Sequence, residues 1–153
     1  MRRVHFAAAY LNESIPEDSL AVALRELAKG RTSFAEMRAG GLLDVLQVQL
    51  PMRRIDEIAP THVQLPSGHR ARIEYHDGRP PSVASRLQDF FGMKQTPTVA
   101  RGAVPLVVQL LAPNRRPVQV TTDLVSFWEN LYPQVRKELS RRYPRHPWPE
   151  NPA

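Results

Sequence analysis

The chain has 153 residues, no cysteine, 15 prolines and a formal net charge of +6. That length suits one domain or two small ones and is too short for a two-lobed motor ATPase or a (β/α)8 barrel. The lack of cysteine excludes disulfides, thiol catalysis, iron–sulfur clusters and zinc fingers, and it is compatible with a reducing cytoplasm, the expected location.

At the N-terminus, MRRVHFAAAYL imitates a signal peptide. Its apolar part is short, carries His5 and runs straight into a helix-start signal, so export is not expected. No apolar run in the chain approaches the ~18 residues of a membrane span. Ser14-Ile-Pro-Glu17 reads as a capping box, after which Leu20, Ala23, Leu24 and Leu27 share one helix face and Gly30 suits its end. Ser33-Phe-Ala-Glu36 repeats the signal for a short helix ending at Gly40-Gly41. Leu42 to Leu50 is compatible with helix or extended chain. Pro51 can open another helix through Ile58, stopped by Pro60.

The pattern changes near residue 60. His62 to Leu65, the turn Pro66-Ser67-Gly68-His69, and Arg70 to Tyr75 alternate with period two and predict a β-hairpin. A second turn follows at Asp77 to Pro81. The spacing of Val83, Leu87, Phe90 and Phe91 predicts a helix from Ser82, ended by Gly92. Val104 to Leu111 reads as a buried strand, turned by Pro113-Asn114-Arg115-Arg116 into a partner strand over Pro117 to Thr121. Thr122 or Asp123 then caps an amphipathic helix carrying Leu124, Trp128, Leu131, Val135 and Leu139, with a kink or a new start at Pro133. The proline-rich tail, Tyr143 to Pro152, is expected to lie extended over the surface, pinned by Tyr143 and Trp148. The fold class is therefore α+β. A helical piece, residues 1–58, packs on a β-β-α-β-β-α module, residues 59–153, with mainly antiparallel strands.

Enzymatic constellations are missing from the pattern. No phosphate loop ending in Lys-Ser/Thr and no GxSxG nucleophile elbow occur, so the chain by itself is not expected to hydrolyse ATP or to hold a cofactor. His62, His69 and His76 are spaced by seven, which puts His69 at the far turn from the other two and argues against a metal site. Glu74, Asp77, Asp123 and Glu129 have no spacing that pairs two of them as acid and base, and Asp123 is better used as a helix cap.

Charge is more informative. Of 21 basic residues 18 are arginine; residues 1–60 balance to zero, whereas residues 101–153 hold eight basic and four acidic side chains. Arg136, Lys137, Arg141, Arg142 and Arg145 fall within ten residues with Glu138 the only acid among them. Such a run is either a solvated helix face or a phosphate-contacting surface, to which Arg115 and Arg116 and an exposed aromatic, Trp148, would add.

Six strings occur in order: LPSG (Leu65–Gly68), RPPSVASRLQDFFG (Arg79–Gly92), VPLVVQLLAP (Val104–Pro113), RPVQVTTDLVSFW (Arg116–Trp128), VRKEL (Val135–Leu139) and RYPRHPWPENP (Arg142–Pro152). Together they closely resemble the C-terminal region of the bacterial HrpB-type ATP-dependent helicases, relatives of the DEAH-box RNA helicases. The resemblance is strong over residues 59–152 and looser over 14–58. It implies two RecA-like motor lobes upstream that would hold ATP and magnesium, and it transfers no catalytic residue to this chain. Arg141 stands where the family usually has a small glycine, a departure expected to lengthen the helix and strengthen the basic patch. The resulting expectation is a non-catalytic accessory domain of a helicase. Its partners would be RNA or single-stranded DNA, held by Arg115, Arg116, Arg136, Lys137, Arg141, Arg142, Arg145 and Trp148, together with the motor domains. The alternative is a docking domain for the motor lobes or a partner protein.

Overall fold

In the computed structural model, the residues described are 2–11, 21, 22, 25, 28, 29 and 52–153. The capping boxes at Ser14 and Ser33 and the segment Leu42 to Leu50 lie outside them. The chain divides into two compact units, residues 1–59 and 60–153.

In the first unit, the N-terminal segment forms an amphipathic helix, α1 (Arg2–Leu11), whose Val4, Ala7 and Leu11 are buried. Helix α2 (Met52–Ile58) buries Ile55 and Ile58 and packs against α1. Arg3 joins them, donating to Asp56 Oδ1 at 2.5 Å and to the carbonyl of Ala59 at 2.9 Å. Ala21, Val22, Arg25 and Ala28, which lie within the helix expected after Ser14, are helical; Leu20, Ala23, Leu24 and Leu27, whose spacing predicts it, lie outside the described residues.

The second unit is built on a five-stranded sheet. Its strands are β1 (His62–Gln64), β2 (Arg70–His76), β3 (Arg79–Arg86), β6 (Val107–Leu111) and β7 (Pro117–Thr121), in that spatial order. β2 alternates buried and exposed residues, with Ala71, Ile73 and Tyr75 facing the core. Strands β1 to β3 form an antiparallel meander, β3 pairs parallel to β6, and β6 returns antiparallel into β7.

The structure corrects the helix expected from Ser82. That segment is the central strand β3, and only Leu87–Phe90 turns helical, as one 3-10 turn. The helix-like spacing of Val83, Leu87 and Phe90 arises because Val83 belongs to the strand and the other two to the turn after it. Ser82, Val83 and Ser85 are weaker helix formers than the alanine among them, and strands on both sides pair with this segment. Pro80 and Pro81, which cannot donate to a ladder, precede the parallel pairing that starts at Ser82 opposite Val107. The order is thus three strands, a 3-10 turn, four strands and a helix, still α+β.

The strand expected over Val104 to Leu111 is also broken. Val104–Pro105 is β5, paired with β4 (Thr98–Val99) in a separate ribbon. Leu106 N donates to the carbonyl of Pro97 at 2.8 Å, and β6 begins one residue later. Pro105 has no N–H with which to continue the main ladder.

The C-terminal helix has three parts. Asp123 caps the short α3 (Leu124–Ser126), its Oδ1 accepting from Ser126 N at 3.0 Å. A π-helical turn, Phe127–Leu131, follows, and α4 (Tyr132–Arg142) continues the path with Pro133 in its first turn. The missing N–H of Pro133 accounts for the widened turn before it. Phe127, Trp128 and Tyr132 cluster edge to face, with ring centroids 5.0 Å and 5.3 Å from Trp128, and Phe91 joins at 5.9 Å from Tyr132. Trp128 Nε1 donates to the carbonyl of Met93 at 2.9 Å, tying helix to crossover.

The tail lies across this cluster. Tyr132 Oη donates to the carbonyl of Pro149 at 2.7 Å, and Gly92 N donates to that of Pro152 at 2.5 Å. Gly92 adopts φ +91°, a conformation that side-chain-bearing residues rarely take. Gly92→Ala is expected to lower the unfolding free energy by about 1–2 kcal/mol through that strain, which urea denaturation would read out.

Burial pushes the Tyr132 phenol up to about 12, against an opposing pull from Arg136. An unfolded tyrosine ionises near 10. Between pH 10 and 12 the unfolded chain therefore sheds a proton that the folded chain retains, and stability falls as pH rises through that window. Tyr132→Phe should flatten this part of the alkaline decline, measured as midpoint denaturant concentration against pH, while costing about 1 kcal/mol at neutral pH for the lost hydrogen bond.

Candidate nucleic-acid interface

The basic residues singled out by sequence fall on two parts of the second unit. Arg115 and Arg116 sit in the β6–β7 turn. Arg136, Lys137, Arg141 and Arg142 are on α4, and Arg145 and Trp148 are on the tail. No hydrogen bond or ion pair joins the two groups among the described residues.

On α4 the structure separates one arginine from its neighbours. Arg136 is half-buried; its Nε donates to the carbonyl of Trp148 at 2.8 Å and its Nη2 lies 3.4 Å from Glu150 Oε1. This guanidinium holds the tail. Lys137, Arg141 and Arg145 are exposed and make no side-chain hydrogen bond or ion pair among the described residues, while Arg142 lies 5.9 Å over the ring of Tyr143. Lys137 and Arg141 are one turn apart and share a flank, where their like charges repel. The helix runs through Arg141 to Arg142, consistent with the larger residue at that place. Trp148 is half-buried rather than fully displayed, and its Nε1 donates to the carbonyl of Tyr143 at 2.9 Å.

The β6–β7 turn is tightly specified. Ala112 and Arg116 close it by a hydrogen bond of 2.8 Å, Arg115 N donates to the carbonyl of Ala112 at 2.8 Å, and Asn114 Oδ1 accepts from Arg116 N at 3.1 Å. Arg115 adopts φ +64°, where glycine or asparagine is the usual residue. Both arginines are exposed.

Arg115 also lines a cleft of about 150 Å3 with His69, Ser85, Arg86 and Asp89. Ser85 and Asp89 are 7% and 5% exposed, and Ser85 Oγ donates to Asp89 Oδ2 at 2.6 Å. Arg86 Nε stands 3.6 Å from the same oxygen. Burial pushes the Asp89 carboxyl up, but the hydroxyls of Ser85 and Ser67 and the charges of Arg86 and His69 outweigh it, so the group sits below its ordinary value. The sequence reading passed over Arg86, Ser85 and Asp89 because it placed them on a helix. No local signal in Ser82–Arg86 marks the strand, which is set by its pairing with β2 and β6.

The three histidines are dispersed: His62 is at the start of β1, His76 at the end of β2 with its Nε2 3.0 Å from Ser82 Oγ, and His69 at the opposite end of the sheet. Among the described residues no group of three His, Asp or Glu side chains is placed to hold a metal ion. No described helix is long and apolar enough to cross a membrane.

Residues 23–152 match the family described as ATP-dependent helicase C-terminal. The chain is 39% identical over 162 residues to the ATP-dependent RNA helicase HrpB of Escherichia coli strain K12, an alignment that takes in 99% of this chain and 20% of that protein. It is similar to the crystal structure of the E. coli DExH-box NTPase HrpB, with a TM-score of 0.85 and 37% identity over 99% of this chain and 20% of that one. A second crystal structure, of the E. coli DEAH/RHA helicase HrpB, gives a TM-score of 0.71 and 36% identity over 96% and 20%. The chain spans about one-fifth of the length of these relatives. With the family matched over most of its length, the chain belongs to the C-terminal domain family of the HrpB-type ATP-dependent helicases.

Proposed function

We propose that this chain is an accessory, non-motor module of a cytoplasmic ATP-dependent helicase and contributes to the binding of single-stranded nucleic acid, RNA in the first place. The E. coli relative is named an RNA helicase. In this reading ATP and magnesium belong to motor lobes outside the chain, which itself contains no Gly-Lys-Ser/Thr loop. The observation that carries it is that Lys137, Arg141 and Arg145 stand exposed without a carboxylate partner among the described residues. Arg142, Arg115 and Arg116 extend this cationic surface, and Arg136 serves it by fixing the tail from which Arg145 projects.

A second reading, docking on the motor lobes or another protein, is favoured by a different observation. Val120, Val125 and Leu131 are 53%, 43% and 45% exposed. Val125 also borders a recess of about 240 Å3 with Lys94, Trp128 and Ala153. Bare side chains of this size on neighbouring elements suit a protein partner.

Fluorescence anisotropy of the chain with labelled single-stranded RNA, titrated at several salt concentrations, separates the two. Nucleic-acid binding through four to six phosphate contacts gives a log–log salt slope of about −3 to −4. Replacing Lys137, Arg141 and Arg142 together by alanine should weaken binding and make the slope shallower by about 2. Arg136→Ala should instead lower the melting temperature by about 2–8 °C and move the slope little, because its guanidinium is spent on Trp148 and Glu150. Absence of binding even at low salt overturns the nucleic-acid reading and leaves docking.

A further inference from the structure

The cleft at one end of the sheet has features that phosphate-strand contacts on α4 do not require. Arg86 and Arg115 enter it from different elements, and both stay there because of backbone register. The parallel pairing sets Arg86 opposite Leu111, so the β6–β7 turn starts beside the end of β3. The antiparallel β2–β3 pairing brings the β1–β2 turn, with His69, to that same end.

The floor of the cleft is polar and buried. Asp89, held by the Ser85 hydroxyl at 2.6 Å, draws Arg86 Nε to 3.6 Å and thereby orients one edge of the guanidinium. Its two terminal nitrogens make no hydrogen bond among the described residues and suit a second oxyanion in the forked geometry that arginine favours. Two guanidinium groups against one carboxylate leave the cleft positive. Arg115 occupies a left-handed position in which glycine would be less strained, so the long cationic side chain is present in spite of the backbone. At about 150 Å3 the cleft lies below the ~300–1,000 Å3 of sites that enclose a whole small molecule. It has room for one phosphoryl group and a few waters, at ~30 Å3 per water.

We propose that this cleft seats a single phosphoryl group, gripped by Arg86 and Arg115 with His69 at its rim. The same chemistry is presented by an internal phosphodiester of a single strand and by a free phosphate. Only the first source rests on the nucleic-acid reading above.

The test uses the full 153-residue chain, isotopically labelled, with NMR signals assigned for the arginine Nε–H groups and the His69 ring. Inorganic phosphate and a short single-stranded RNA are titrated separately at low ionic strength, with chloride at matched ionic strength as control. The proposal expects the Arg86, Arg115 and His69 signals to move in a saturable way with at least one of the two anions. Movement with RNA, reversed by phosphate, identifies the strand as the source; movement with phosphate alone identifies a free phosphate. Arg115→Gly is the informative variant. It removes the guanidinium and relieves the turn, so the melting temperature should hold or rise while cleft binding weakens about tenfold or more. Arg86→Gln provides a second variant with the β3 backbone kept. If neither anion moves these signals beyond the chloride control, the proposal is overturned. In that event, RNA that shifts only Arg141, Arg142 and Arg145 leaves the nucleic-acid reading intact. Phosphate in the cleft with no RNA binding anywhere supports the cleft and removes the other reading.

Discussion

The parallel pairing of β3 with β6 organises the second unit. Antiparallel neighbours need only a turn between them, whereas parallel neighbours require the chain to travel back along the sheet before it re-enters. Residues 87–106 make that journey, carrying a 3-10 turn, Phe90 and Phe91, and the β4–β5 ribbon. Phe90 is fully buried and Phe91 meets Trp128 and Tyr132. The crossover is thus one wall of the aromatic cluster that receives the C-terminal helix. Where the two strands finish side by side, Arg86 at the end of β3 meets Asp89 and Arg115 from the segments that follow, in one cleft. A one-residue slip of register would turn Val83 and Val108 out of the core and separate these groups together.

The second constraint is the tail. A segment with prolines at 144, 147, 149 and 152 cannot build a ladder or a helix of its own, so its carbonyls must be met by donors from elsewhere. Tyr132 Oη, Arg136 Nε and Gly92 N take three of them. This is why Arg136 differs from Lys137 although they are adjacent in a run that reads as uniformly basic. The first donates from a half-buried position to the carbonyl of Trp148; the second is exposed. A charge run is therefore two populations, one spent on holding the tail and one facing solvent.

Much of this was legible from sequence. The β1–β2 hairpin, the β6–β7 turn, the Asp123 cap and the change of path at Pro133 follow from local chemistry: alternation, turn residues, a capping carboxylate and a missing N–H. β3 was not legible in the same way. Its stretch Ser82–Arg86 has no strong preference of its own, and what makes it a strand is two neighbours, one of which, β6, arrives 21 residues after β3 ends. The cleft was hidden for the same reason. His69, Arg86 and Arg115 are far apart in the chain, and only the long-range register makes them neighbours. The break at Leu106 was visible in Pro105 but was masked by an otherwise continuous apolar run.

The two cationic regions differ in what they can do for a strand. Exposed side chains such as Lys137 and Arg141 attract phosphate through a high-dielectric medium, where each contact is weak and screened by salt within about 8–10 Å. Such contacts work in number and tolerate any sequence. In the cleft, a buried carboxylate orients the Arg86 guanidinium and a closed turn fixes the backbone that carries Arg115, so the proposed phosphate contact would cost less side-chain freedom. A surface of the first kind guides a strand, and a seat of the second kind fixes one phosphate in place. In the proposed reading, α4 supplies contacts of the first kind and the end of the sheet a contact of the second kind, and the two would act on a strand in different ways.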